Sequence, residues 1–204
     1  MSDGTRVALT FDAEHPDRPE CPPGAAEQIL DTLREAGVRA TFFVQGRWAE
    51  AQPETARRIA RDGHLIGNHS TYHARMPLLT DEGLRADVRT CEDVIRTIAG
   101  ADPRPWFRCP FGEGRDDPRV LRALEDAGYR NIHWHVVAED WEPTRTADDV
   151  ERTTLDGVAE RGDGAVVLLH TWPASTAESL PAILDRLGDA GAGFVTIDEL
   201  EELP

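Results

Sequence analysis

The chain has 204 residues and a formal net charge of −16, from 38 acidic against 22 basic side chains. A surface of that sign repels phosphate backbones and anionic lipid, so neither nucleic acid nor a membrane surface is an expected partner, and a neutral or weakly cationic substrate fits better. No apolar run reaches the ~18–20 residues of a membrane span, and the length suits one domain that buries its core without staples. Three cysteines, Cys21, Cys91 and Cys109, cannot pair completely, and their spacing matches neither a disulfide framework nor a zinc ribbon, which favours a reducing compartment. The start Met1–Arg6 carries no cationic segment followed by an apolar one, so the expected location is cytoplasmic; a leader already removed would instead place the protein outside the cell.

Short β-rich runs alternate with amphipathic helical stretches. Val7–Phe11 predicts a first strand, and Gly24–Ala36 a helix ended by Gly37. Ala40–Val44 predicts a second strand, and Pro53–Arg61 a helix that opens on proline, where the missing N–H is no loss. His64–Ile66 reads as a short third strand. From Thr80 to Ala99 apolar residues recur at Leu84, Val88, Cys91, Val94, Ile95 and Ile98, a helical period, with Thr80 as N-cap and Gly100 as stop. Trp106–Phe107 predicts a fourth strand, Asp117–Ala127 a helix closed by Gly128, Ile132–Trp134 the start of a fifth strand, and Asp148–Glu160 a further helix. Ala165–Leu169 is apolar throughout, as a strand buried on both faces should be. A helix over Thr176–Ala190 and a strand over Phe194–Thr196 complete the set. Strand followed by helix about seven times predicts an α/β fold, a parallel sheet closed or nearly closed into a barrel, in a single domain over residues 1–204.

The polar residues with chemical potential fall at the ends of different strands, on the side where such barrels keep their active sites. His69-Ser70-Thr71-Tyr72-His73 spaces two histidines four apart. In a helical turn that spacing puts both on one face, with β-carbons ~5–6 Å apart, and both imidazoles can then reach one divalent cation at the ~2.0–2.1 Å of a zinc–nitrogen bond. The plain alternative is two histidines that cap or pack a helix start. Asp12 and Glu14 offer two carboxylates, one to ligate a metal while the other stays free as a base, or else an Asx-turn or helix cap. In Arg108-Cys109-Pro110-Phe111-Gly112 the guanidinium can hold a carboxylate ionised and oriented, and the turn can aim a backbone N–H, that of Phe111, at a developing oxyanion. Asp140 stands beside Trp141, and His170 beside Trp172 at the end of the most apolar strand. An aspartate on one imidazole nitrogen favours a protonated histidine suited to general acid work. The tryptophans offer flat surfaces for a sugar ring or a methyl group. His15, His64, His133 and His135 have no evident partners and default to packing or solvent roles, and Glu113–Asp117 reads as a helix-capping loop. Cys109 has no adjacent base and is not read as a nucleophile.

Taken in order, Thr10-Phe11-Asp12, His69-Ser70-Thr71-Tyr72-His73, Arg108-Cys109-Pro110-Phe111-Gly112, Asp140-Trp141 and Leu168-Leu169-His170 resemble the five motifs of the polysaccharide deacetylase family, the NodB-homology domain of carbohydrate esterase family 4. The resemblance implies a distorted (β/α)7 barrel and metal-dependent removal of an N- or O-acetyl group. It implies a catalytic base at Asp12, metal-binding histidines at His69 and His73, and Arg108 positioning the base. It further implies an oxyanion-binding N–H at Phe111, Asp140 tuning the acid, Trp141 as groove wall, Leu168 lining the acetyl pocket and His170 as general acid. Two positions depart from the family pattern. Ala13 stands where the usual motif carries a metal-binding aspartate; in branches with Asp-x-Glu the ligand falls one residue later, which makes Glu14 the third ligand. Val137 replaces a second aspartate that usually opens the fourth motif.

The reading is therefore a hydrolase of a carbon–nitrogen bond in an acetylated sugar or small amide. Its cofactor is a divalent metal, zinc first, with cobalt, nickel or manganese as alternatives. The chain is close to a minimal barrel with few insertions to build a long groove, which points to a small substrate. Two other readings remain at this level: a metal-independent amidohydrolase of the same fold, and a carbohydrate-binding domain without catalysis.

Overall fold

The computed structural model describes residues 4–15 and 22–201, so Cys21 lies outside the described residues. In chain order the elements are β1 (Arg6–Ala13), α1 (Ala25–Glu35), β2 (Thr41–Val44), α2 (Gly46–Ala51), α3 (Pro53–Arg61), β3 (Leu65–Asn68), α4 (Asp81–Ala99), β4 (Trp106–Phe107), α5 (Pro118–Asp126), β5 (Arg130–Asn131), β6 (Val136–Val137), α6 (Ala147–Arg161), β7 (Ala165–His170), α7 (Ala174–Asp189), β8 (Gly193–Phe194) and α8 (Ile197–Glu201). Short 3₁₀ turns stand at Met76–Leu78 and Pro110–Gly112. The chain divides into two compact units, one of described residues 4–11, 22–41 and 134–201, the other of 12–15 and 42–133, so that β1 contributes to both.

In the first unit β1 lies beside β7, β7 beside β6, and β8 pairs with the start of β1. The β6–β7 pairing is parallel, with Val136 opposite Val167 and Val137 opposite Leu168. So is β1–β8, with Arg6 opposite Gly193. Every residue of β7 is buried, the fate of a strand that is apolar on both faces. Helix α7 packs against α6 and α1, and α1 buries Ile29, Leu30 and Leu33 at the helical period while leaving its charges outside. At the start of α6 a reciprocal cap forms: the Thr146 hydroxyl accepts from the Asp149 N–H and the Asp149 carboxylate accepts from the Thr146 N–H.

In the second unit the order runs β5, β4, β3, β2 and the end of β1. The β3–β4 and β4–β5 pairs are parallel, with Asn68 opposite Phe107 and Trp106 opposite Arg130. Beneath them Met76, Leu84, Val88, Phe107, Val120, Leu124 and Tyr129 form one apolar cluster, each large side chain contributing about 1.5–3 kcal/mol by leaving water. Thr80 caps α4 by accepting from the Gly83 N–H at 3.1 Å, and Gly100 ends it at φ +69. Gly67 is a different case: a Cβ there would lie 2.6 Å from the Phe43 ring. The β3 backbone needs that close approach.

The helices at Pro53–Arg61 and Thr80–Ala99 form as their patterns predict. One strand does not. The run Ile132–Trp134 continues the β5 ladder by one bond, Ile132 N–H to Phe107 O at 2.7 Å, and then forms the connection to β6. A three-residue run carries too little periodicity to separate strand from connector. Helix α2 was not predicted either; it carries no side-chain cap, only the buried Trp48 and Ala49. No helix among the described residues is long and apolar enough to cross a membrane.

Candidate metal centre and active site

β1 delivers Asp12 as its penultimate residue and Glu14 just past its end, both residues buried. Asp12 Oδ1 accepts from Arg108 Nη1 at 2.8 Å. The guanidinium is fully buried, stacks at 4.0 Å on the Phe43 ring and donates through Nε to Ile132 O at 3.3 Å. Burial lowers the Arg108 pKa from its ordinary value and the Asp12 charge opposes that shift, a buried pair in which each partner is costly without the other.

His69 and His73 are brought together, but not by a helix. Residues 69–75 form a loop after β3, with Ser70 at φ +67 and His73 at φ +55. The helical-turn basis of the spacing is therefore corrected: two left-handed residues fold the loop back so that both rings face Glu14, their centroids 4.9 Å apart. Left-handed backbone is unfavourable for side-chain-bearing residues and persists where surroundings dictate it. Those surroundings are specific. The Asn68 carboxamide accepts from the Ser70 N–H at 2.9 Å and donates to Val88 O at 2.9 Å. The buried Asp87 carboxylate of α4 accepts from the N–H groups of Thr71 at 3.0 Å and Tyr72 at 3.4 Å. Neither Asn68 nor Asp87 was legible as a functional position.

His69 Nδ1 lies 2.9 Å from Arg108 O, and its Nε2 lies 3.1 Å from Glu14 Oε2 and 3.5 Å from Asp12 Oδ2. The carbonyl can only accept, so the proton sits on Nδ1 and Nε2 is the atom turned to the carboxylates. Burial disfavours the His69 cation, but Asp12 and Glu14 together outweigh it and the pKa is raised. His73 Nε2 meets the same Glu14 oxygen, and burial leads a net lowering of its pKa. One ligand atom from each of Glu14, His69 and His73 lies within 4.8 Å of the others. Two imidazole nitrogens and a carboxylate oxygen, with one histidine oriented by a backbone carbonyl, are donor types that divalent-metal sites use. The donor set fits a divalent cation: two nitrogens converge on one carboxylate oxygen, and the surrounding acids that raise the His69 pKa favour positive charge there. His15, expected to pack or face solvent, instead places Nε2 3.0 Å from Glu14 Oε1. Phe111 occupies the Pro110–Gly112 turn at φ +59, its ring edge-on to His73 at 4.4 Å between centroids.

The first unit carries the other group. His170 ends β7, and Asp140 follows β6. Asp140 Oδ1 lies 2.8 Å from His170 Nδ1, while Oδ2 accepts from the His170 N–H at 2.7 Å and the Thr176 hydroxyl at 2.6 Å. That carboxylate is fully engaged, and it fixes the tautomer that carries a proton on Nδ1. Trp141 and Trp172 flank the imidazole at 5.4 and 5.9 Å, and border a cavity of about 450 Å³ with Pro143, Arg145 and Ser175. Leu168 is buried on β7, two residues before His170. Thr176 is the residue that sequence reasoning missed here. Among the described residues, Glu139 completes the left-handed set at φ +55, next to Asp140.

A carboxylate held by a buried arginine beside a cluster of one carboxylate and two histidines, on parallel strands, suits a hydrolytic site. The polysaccharide deacetylase family profile matches residues 2–132. The peptidoglycan-N-acetylglucosamine deacetylase of Bacillus cereus is 31% identical over 198 residues, covering 95% of this chain and 67% of that protein. Among solved structures, a T48 deacetylase with substrate matches with a TM-score of 0.82 at 31% identity over 97% of this chain and 90% of that one. BA3943 of Bacillus anthracis, a carbohydrate esterase family 4 pseudoenzyme, matches with a TM-score of 0.85 at 27% identity over 98% and 66%. This chain belongs to the polysaccharide deacetylase family, with that family's distorted (β/α)7 barrel as its fold class, and is a hydrolase acting on carbon–nitrogen bonds other than peptide bonds. Curated relatives are longer: the chain spans 70% of one and 38% of another.

Proposed function

We propose that this protein removes the N-acetyl group of an amino sugar, the class of substrate named for the Bacillus cereus peptidoglycan-N-acetylglucosamine deacetylase, with a divalent metal held by Glu14, His69 and His73. The observation that supports it is the convergence of those three donors beside an Asp12 carboxylate fixed by Arg108. When bound, a divalent cation supplies Lewis acidity toward the acetyl carbonyl and lowers the pKa of water toward ~7. Arg108 occupies Asp12 Oδ1 and leaves Oδ2 to take the proton of the attacking water. The new carbon–oxygen bond forms at the acetyl carbon, and the Phe111 N–H donates to the oxyanion. His170, with Nδ1–H committed to Asp140, holds the second proton on Nε2. That proton passes to the amine as the carbon–nitrogen bond breaks, releasing acetate and the free amino sugar. Trp141, Trp172 and Leu168 offer the apolar surfaces for sugar ring and methyl group.

The test is acetate release from N-acetylglucosamine oligomers and from acetylated muramic acid fragments by protein loaded with zinc, before and after chelation. Asp12→Asn should lower turnover by ~10²–10⁴, the usual contribution of a general base. Unchanged turnover in that variant removes Asp12 from its role. Activity that survives chelation supports the metal-independent amidohydrolase, and saccharide binding without hydrolysis supports a binding domain.

A further inference from the structure

Glu14 stands one residue beyond the position of the family's shorter ligand, on a side chain with an additional rotatable bond and outside the strand that ends at Ala13. A free glutamate gives up rotamer entropy when it is fixed in place, so a ligand of this kind needs a restraint. The restraint is adjacent in sequence. His15 Nε2 lies 3.0 Å from Glu14 Oε1, on the opposite carboxylate oxygen from the one that faces His69 and His73. His15 is itself held. Its backbone N–H donates to Gln45 Oε1 at 3.1 Å, and its ring meets the His73 ring edge-on at 4.7 Å. Its backbone lies at φ +52, a conformation unfavourable for a side-chain-bearing residue. Gln45 is in turn tied to β1, because its N–H donates to Ala13 O at 2.9 Å.

We propose that His15 is a positioning residue for the metal centre, clamping Glu14 Oε1 so that Oε2 is presented with His69 and His73, and so restoring the three-ligand set that Ala13 leaves short. The proposal rests on the reading of Glu14, His69 and His73 as ligands. His15 is not a fourth ligand here: its contact is with the ligand's outer oxygen. Partners of this kind change metal affinity by about 10–100-fold when removed.

The experiment measures zinc affinity of stripped, refilled protein by competition with a chromophoric chelator, for wild type, His15→Ala, His15→Gln, Gln45→Ala and Glu14→Ala. Cobalt-loaded samples supply absorption spectra. His15→Ala should weaken zinc binding about 10–100-fold and alter the cobalt spectrum. His15→Gln, whose amide can still donate to Oε1, should recover most of that loss. Zinc affinity of His15→Ala within about twofold of wild type overturns the proposal, as does a His15→Gln variant no better than His15→Ala. Should His15→Ala fail to fold by circular dichroism, Gln45→Ala decides: weaker zinc binding supports the clamp and unchanged binding overturns it. Loss of zinc in Glu14→Ala keeps the ligand reading standing even where the clamp fails. Full zinc binding in Glu14→Ala removes both.

Discussion

Replacing Asp87 with alanine tests how the loop carrying His69 and His73 is held in its left-handed course. The Asp87 side chain is buried, and it accepts from the Thr71 N–H at 3.0 Å and the Tyr72 N–H at 3.4 Å. A buried donor stripped of its partner costs about 1–3 kcal/mol, so two give a span of about 2–6 kcal/mol. The Tyr72 bond is long and its residue is 64% exposed, so water can replace that partner; the expected loss is about 2–4 kcal/mol. The Asp87 backbone carbonyl still receives the Thr71 hydroxyl at 2.7 Å, which keeps the helix and loop in register. Urea denaturation of metal-stripped protein measures the loss, and chelator competition measures its effect on zinc affinity, expected to fall. Asp93→Ala on the same helix, at an exposed position, should stay within about 0.5 kcal/mol of wild type. An Asp87→Ala variant as stable as Asp93→Ala, with zinc affinity unchanged, would refute the view that this carboxylate builds the loop.

Two glycines should respond oppositely to alanine. Gly67→Ala drives a Cβ to 2.6 Å from the Phe43 ring that supports Arg108, so urea midpoints should show a loss of about 1–3 kcal/mol together with reduced turnover; Gly188→Ala in α7, with open space around it, should gain about 0.5–1 kcal/mol. Equal responses would show that the close approach at β3 is unimportant. Burial pushes the Cys109 thiol up to about 12 and raises that of Cys91 as well. An unfolded thiol titrates near ~8.5, so this contribution to stability is whole below that value and falls as pH rises toward 12. Native protein at neutral pH should leave both thiols unalkylated by iodoacetamide, with label entering only in urea; peptide mass spectrometry showing label on native Cys109 would contradict its burial.

Long elements were legible because their signals repeat. The period of α4, its Thr80 cap and its Gly100 stop agree, and the uninterrupted apolar run of β7 has one reading. The site was legible as residue types in order: Asp12, Glu14, His69, His73 and Arg108 do meet, as do Asp140 and His170. What stayed hidden was the support. Asp87 acts through a bond sixteen residues away in sequence, and Thr176 through one thirty-six residues away. No local pattern announces such pairs. His15 was misjudged for a different reason: its partner is its own neighbour, Glu14, and adjacent side chains face each other only when the backbone departs from strand and helix, as it does at φ +52.

Among the described residues, the non-glycine positions in the left-handed region are His15, Ser70, His73, Phe111 and Glu139, all in or beside the residues proposed for chemistry. Each is a place where glycine would relax the backbone. A library of this protein selected for heat resistance alone should therefore drift toward glycine at those five positions, and in doing so would discard His73 and the contacts around it. Thermal robustness and hydrolysis draw on the same few dihedral angles, so a stabilised variant is better sought in helices such as α7, away from these loops.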